Sequence, residues 1–158
     1  MTTVFVLGRI NKQNLEEKAS QWQAAIILLQ EMIYGRQGEI KQKVAPNVFS
    51  FNAAISACEK AAKWPFSLCL LEQMVEIRLQ MDVISLNAAI SSCEKAGEWQ
   101  QALVLFHGML NWKLHRDLIS YSAVISCCEK AGQWQQALHL LRCYKLEPFR
   151  SLQTTAVD

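Results

Sequence analysis

Apolar residues recur at i, i+3, i+4 and i+7 in three places along the chain: Phe51, Ala54, Ile55, Cys58; then Leu86, Ala89, Ile90, Cys93; then Tyr121, Val124, Ile125, Cys128. Each set lies on one face of an α-helix. A second stripe follows each of them, as in Trp99, Ala102, Leu103, Phe106, Leu110. The pattern therefore predicts pairs of helices. Ser50, Ser85 and Ser120 stand where an N-cap is wanted. Gly97 and Gly132 read as stops after the first helix, and Ala62 takes that place in the earlier copy. Pro65 is tolerated because it falls in the first turn of its helix.

The pairs are copies of one another. Between 87–106 and 122–141, 14 of 20 aligned residues are identical, which excludes coincidence. Trp64, Trp99 and Trp134 are each 35 residues apart, and so are Cys58, Cys93 and Cys128. A worn copy lies upstream, where Glu17, Lys18, Ala19 and Trp22 match Glu59, Lys60, Ala61 and Trp64. Its connection onward, "YGRQGEIKQKVAPN", holds two Gly and a Pro and reads as a loop insertion. A hairpin of this size cannot bury both faces alone, whereas stacked hairpins can. The expected fold is all-α: an α-solenoid of helix-turn-helix hairpins with a 35-residue period. Its units are a degenerate repeat with the insertion at 1–47, repeats at 48–82 and 83–117, a partial repeat at 118–147 and a tail at 148–158. The Trp residues are expected to anchor one helix of a hairpin against the other. "KLEPFRSLQTTAVD" shows no strong helical pattern, so the C-terminal cap is expected to be weak or missing. That implies a short array, a fragment of a longer one, or a subunit that docks against something.

Composition removes several function classes. At 51% apolar and 19% charged, the 158 residues are a foldable chain. No apolar run reaches the roughly 18 residues of a membrane helix. The first residues lack the basic region and apolar core of a secretory signal, and early Glu16 and Glu17 make them a poor transit peptide. The six Cys contain no C-x-x-C pair, and they read as reduced, small apolar residues. Cys, His and carboxylates do not converge at metal spacing, and no Gly-rich loop is shaped for phosphate. Cys93-Glu94-Lys95 invites a catalytic reading, but Cys93 is on the apolar stripe and no His recurs at a fixed repeat position. A catalytic residue, a metal and a cofactor are therefore not expected.

The polar face of the first helix carries Asn52, Ser56, Lys60; Asn87, Ser91, Lys95; and Ser122, Ser126, Lys130. Stacking turns these triplets into a row of amides or hydroxyls beside a row of ammonium groups. With a net charge of only +2, such local rows are the source of any basic surface. A polymer with one negative charge per unit fits them.

The motif "NAAIS-x-CEKAG-x-W-QQAL", closed by Asp and then a hydrophobic pair and Ser, resembles the pentatricopeptide repeat. The resemblance covers about 48–147. Tetratricopeptide repeats differ in their 34-residue period and in where the Trp sits. The resemblance implies single-stranded RNA as partner, read at about one base per repeat, in a mitochondrion or plastid. It carries base reading onto Asn52 with Asp82, onto Asn87 with Asp117, and onto Ser122, whose closing position is Leu152. Asn followed by Asp is the family's uracil-preferring pair. It carries base sandwiching onto Phe49, Ile84 and Ile119, just ahead of the first helices, and phosphate contact onto Lys60, Lys95 and Lys130. Two readings compete with it: a protein-binding solenoid, and a non-functional remnant of a longer array. Further repeats or a protein partner would cover the open ends.

Overall fold

In a computed structural model of the protein, residues 21–34 and 45–153 are described, with side chains through 146. Among these residues seven helices follow in order: α1 (Gln21–Tyr34), α2 (Val48–Lys60), α3 (Trp64–Glu76), α4 (Val83–Ala96), α5 (Trp99–Asn111), α6 (Leu118–Lys130) and α7 (Trp134–Gln153). Among the described residues there is no strand, as the two apolar stripes per copy require. α1 is the second helix of the worn copy. Its first-helix segment, with Glu17 and Lys18, and the 35–44 part of the insertion lie outside the described residues.

The hairpins stack in two layers. The first helices α2, α4 and α6 pack on one another in succession, and each also packs on the second helix of its own hairpin. Each second helix packs in addition on the first helix of the next hairpin: α1 on α2, α3 on α4, α5 on α6. The backbones of successive second helices stay apart, leaving an apolar groove of about 290 Å³ between α3 and α5, lined by Leu68, Leu71, Val75, Val104 and Trp112 among others. The core runs continuously between the layers. It takes Phe51, Ile55 and Cys58 from α2, Leu86, Ile90 and Cys93 from α4, and Val124 and Cys128 from α6, as the first-helix stripe predicts.

The second-helix stripe is shifted. In α5 the buried set is Ala102, Leu105, Phe106 and Met109, while Leu103 is only half-buried and Leu110 is exposed. The spacing is still i, i+3, i+4, i+7, so the periodicity holds and its phase moves. Trp64 and Trp99 pack partly buried against the core, but Trp134 is 64% exposed. Burial at a repeat position depends on the hairpin stacked over it, and among the described residues none follows α7. That helix continues to Gln153, beyond the expected end at 147. Extending an established helix carries no nucleation cost, so it needs no apolar stripe; the extension adds a hydrogen bond at each residue except Pro148, which has no N–H to donate.

Each hairpin turn is closed in one way. Lys63, Glu98 and Gln133 donate their backbone N–H to the carbonyls of Cys58, Cys93 and Cys128 at 2.8–2.9 Å. This closure puts one residue in the left-handed region: Gly97 (φ 77°), Gly132 (φ 71°) and Ala62 (φ 54°). For an L-residue with a Cβ that conformation costs roughly 1–2 kcal/mol, partly offset by the greater unfolded-state freedom of Gly. Ala62→Gly is therefore expected to stabilise the protein by about 0.5–1 kcal/mol, read as a raised urea midpoint with an unchanged slope. A lowered midpoint would contradict this account of the turn.

Candidate nucleic-acid interface

The first helices begin three residues earlier than the serines suggest. The N-caps are Asn47, Asp82 and Asp117, and Ser50, Ser85 and Ser120 occupy the third helical position. Asp82 and Asp117 each accept the Ser backbone N–H at 2.8 Å, and the Ser hydroxyl faces the Asp backbone N–H in return. This is a reciprocal capping box with Asp and Ser in its two places. Ser looked like the cap because small hydroxyl residues are favoured there; the aspartate three residues ahead wins with an ionised acceptor.

The earlier start moves Phe49, Ile84 and Ile119 into the first helical turn rather than ahead of the helix. They are nonetheless 84%, 66% and 59% exposed, bulky apolar side chains held out from the stack at one place per repeat. Each stands three residues before Asn52, Asn87 or Ser122, on the same helical side.

The capping aspartates also bring the base-reading candidates together. Asn52 donates its Nδ2 to Asp82 Oδ2 at 3.1 Å and Oδ1 at 3.2 Å. Asn87 donates to Asp117 Oδ1 at 3.1 Å and Oδ2 at 3.3 Å. Both contacts join a first helix to the start of the next one. Ser85 and Ser120 complete the clusters: their hydroxyls donate to the amide oxygens of Asn52 at 2.5 Å and Asn87 at 2.6 Å. Partial burial pushes the two Asp carboxyls up, but the Ser backbone and hydroxyl, the Asn amide and the Asp backbone N–H all hold the ionised form, and the net position is below the ordinary value. Ser122 differs. It is exposed and donates to the carbonyl of Ile119 at 3.0 Å, and the side chain of Leu152 lies outside the described residues. The sequence places these serines as caps and not beside the amides of Asn52 and Asn87; the repeated D-x-x-S spacing is the signal for the capping box that brings them there.

The lysine row is ion-paired across the repeats. Lys95 Nζ lies 2.9 Å from Glu59, and Lys130 Nζ lies 2.7 Å from Glu94, which also accepts from Ser126 at 2.7 Å. Burial raises the Glu94 carboxyl, and Lys130, Ser126 and Lys95 more than reverse this, leaving it below the ordinary value. Adjacent Glu-Lys at a 35-residue period is the signal for this ladder. Lys60 is exposed, and its counterpart Glu17 is outside the described residues.

Among the described residues little else invites chemistry. Burial pushes the thiols of Cys58 and Cys93 up to about 12 and that of Cys127 to about 11; a neighbouring cysteine adds to this at each, as do carboxylates beside Cys93 and Cys127. Such thiols are not thiolates at neutral pH and are poor nucleophiles. Among the described residues no three metal-ligating side chains gather, and no helix is long and apolar enough to cross a membrane.

Comparison with protein families matches the PPR repeat over residues 49–79 and 119–146, and the pentatricopeptide repeat domain over residues 69–131. No curated protein matches the chain. The matched stretch runs from the first turn of α2 into α7 and contains both Asn–Asp–Ser clusters. With an all-α stack of hairpins repeating every 35 residues, this chain belongs to the pentatricopeptide repeat family, whose members are generally RNA-binding proteins of organelles and typically not enzymes.

Proposed function

We propose that this chain binds single-stranded RNA and that Asn52 with Asp82, and Asn87 with Asp117, each read one base, with uracil preferred. The observation that carries the reading is the recurrence of one cluster. An amide held by a carboxylate stands beside an exposed bulky apolar residue, and the set recurs one repeat on. An amide has a donor and an acceptor on one short side chain, the complement of uracil's N3–H and O4. Phe49, Ile84 and Ile119 would pack on base faces from either side. Lys60, Lys95 and Lys130 would meet the phosphates, the latter two in exchange for their glutamate partners. Ser122 would give the third unit a weaker preference. The work is binding and not catalysis, in RNA processing or stability in a mitochondrion or plastid. Further repeats, or a protein partner at the open ends, would lengthen the site.

Binding of oligouridine and oligoadenosine at about 0.1 M salt tests this. Wild type is expected to prefer oligouridine by about tenfold or more, since a well-placed two-point contact is worth about 1–3 kcal/mol. Asn52→Ala with Asn87→Ala should remove the preference and leave weak, salt-sensitive binding. Lys60, Lys95 and Lys130 changed together to Gln should weaken binding to both strands and flatten the salt dependence. Equal binding of both strands by wild type would sink the base-reading claim. The competing reading is a protein-binding solenoid, and the apolar groove between α3 and α5 favours it. It predicts no RNA binding that falls with salt.

A further inference from the structure

Resting on that reading, we infer that Ser85 and Ser120 are positioning residues for base recognition, each acting on the asparagine of the preceding repeat. Both serines are fully buried, so neither can touch a base. Their hydroxyls nonetheless reach the reading amides, 33 residues back in the chain, at 2.5 and 2.6 Å. Each hydroxyl also stands 2.7 Å from Oδ1 of its own capping aspartate, so one proton faces an amide oxygen and a carboxylate oxygen together. The aspartate on the Nδ2 side and the hydroxyl on the Oδ1 side set the amide. Turned over, it would put its oxygen against a carboxylate. Held as it is, it keeps one N–H and one oxygen lone pair for a base. The same arrangement occurs twice, one repeat apart. Reading therefore requires two adjacent repeats. The first supplies the amide and the aspartate that closes its repeat, and the next supplies the serine that completes the aim. A unit without the closing Asp, or whose successor lacks the Ser, has an unaimed amide.

Discrimination between oligouridine and oligocytidine is the sensitive readout, because the two bases differ in the donor and acceptor pattern that a fixed amide distinguishes. Ser85→Ala with Ser120→Ala is expected to lower the uridine-to-cytidine ratio by about threefold to tenfold, the worth of one or two ordinary hydrogen bonds. Binding to oligoadenosine should stay unchanged. Ser85→Thr with Ser120→Thr, which keeps the hydroxyl, should restore the ratio. In the free protein, the side-chain amide resonances of Asn52 and Asn87 should move in the Ala variant and return in the Thr variant. Thermal melting shows whether the Ala variant folds; if the double variant does not, each single substitution permits the same comparison with a smaller effect. A folded Ala variant that keeps the wild-type ratio overturns this inference and leaves base reading standing. A wild type with no preference among the strands overturns both.

Discussion

Phe106→Ala is expected to lower the unfolding free energy by about 3–5 kcal/mol, the range for emptying a buried aromatic site. Phe106 is 1% exposed on α5. Its ring meets Tyr121 on α6 edge-on at 4.8 Å, and Tyr121 in turn lies 5.1 Å from Tyr144 on α7. Arg116, between α5 and α6, lies over the ring with its guanidinium 4.3 Å from the centroid, and its Nε donates to the Phe106 carbonyl at 2.9 Å. The substitution thus empties a cavity and also removes the ring over which the arginine lies. In a solenoid, stability is a sum of hairpin terms and nearest-neighbour interfaces. The α5–α6 interface should weaken most, and the urea transition should broaden as the last hairpin melts ahead of the rest. Val104→Ala on the same helix is the control. Val104 is 65% exposed, and a change within about 0.5 kcal/mol is expected. A loss under about 1 kcal/mol at Phe106 would mean that the interface does not depend on this ring.

The helices and their period could be read from the sequence because every apolar core residue of α2 and α4 sits on a repeated i, i+3, i+4, i+7 stripe; in α6 the buried set also takes Ala123 and Cys127 from beside it, and Ile125 on the stripe is half-buried. What could not be read was decided by neighbours. Leu110 and Leu105 are both Leu on one helix; which of them is buried is set by the helices stacked against α5 and not by the local sequence. Trp134 has the same local sequence as Trp99 and differs in what stacks over it. The helix starts lie three residues ahead of the serines, because an ionised aspartate outcompetes a hydroxyl as the cap and the serine turns back to it from the third helical position. The pairing of Asn52 with Asp82 was legible through the family motif. The serine behind it was not, since its partner is 33 residues away and becomes a neighbour only when two hairpins stack. The lysines show the same limit from the other side. As a row in sequence they are free cations, and in the stack Lys95 and Lys130 are each bonded to the glutamate of the hairpin before.

On the proposed reading, the capping aspartates join stability to recognition, so replacing them should affect both. Asp82→Ala with Asp117→Ala removes two N-caps, worth about 1 kcal/mol each. It also leaves two reading amides without their acceptors. The sites are a repeat apart and should add, giving a loss of about 2 kcal/mol or more together with loss of the uridine preference. Asp82→Asn with Asp117→Asn separates the two effects, because Asn caps as well as Asp does but does not ionise. This variant should keep most of the stability at neutral pH and still lose the preference, since an amide facing an amide no longer fixes which way the reading side chain points. It should also change the acid limb. Both carboxyls sit below their ordinary value in the folded chain. Their contribution is therefore complete above the unfolded-state value, near 4, and is lost as pH falls through the lower folded-state values. Between neutral pH and about 3, wild type should lose stability more steeply than the Asn variant, as measured by urea unfolding at fixed ionic strength. Parallel curves would show that the aspartates cap without drawing on their charge, and the account of an ionised acceptor holding the reading amide would fall with that result.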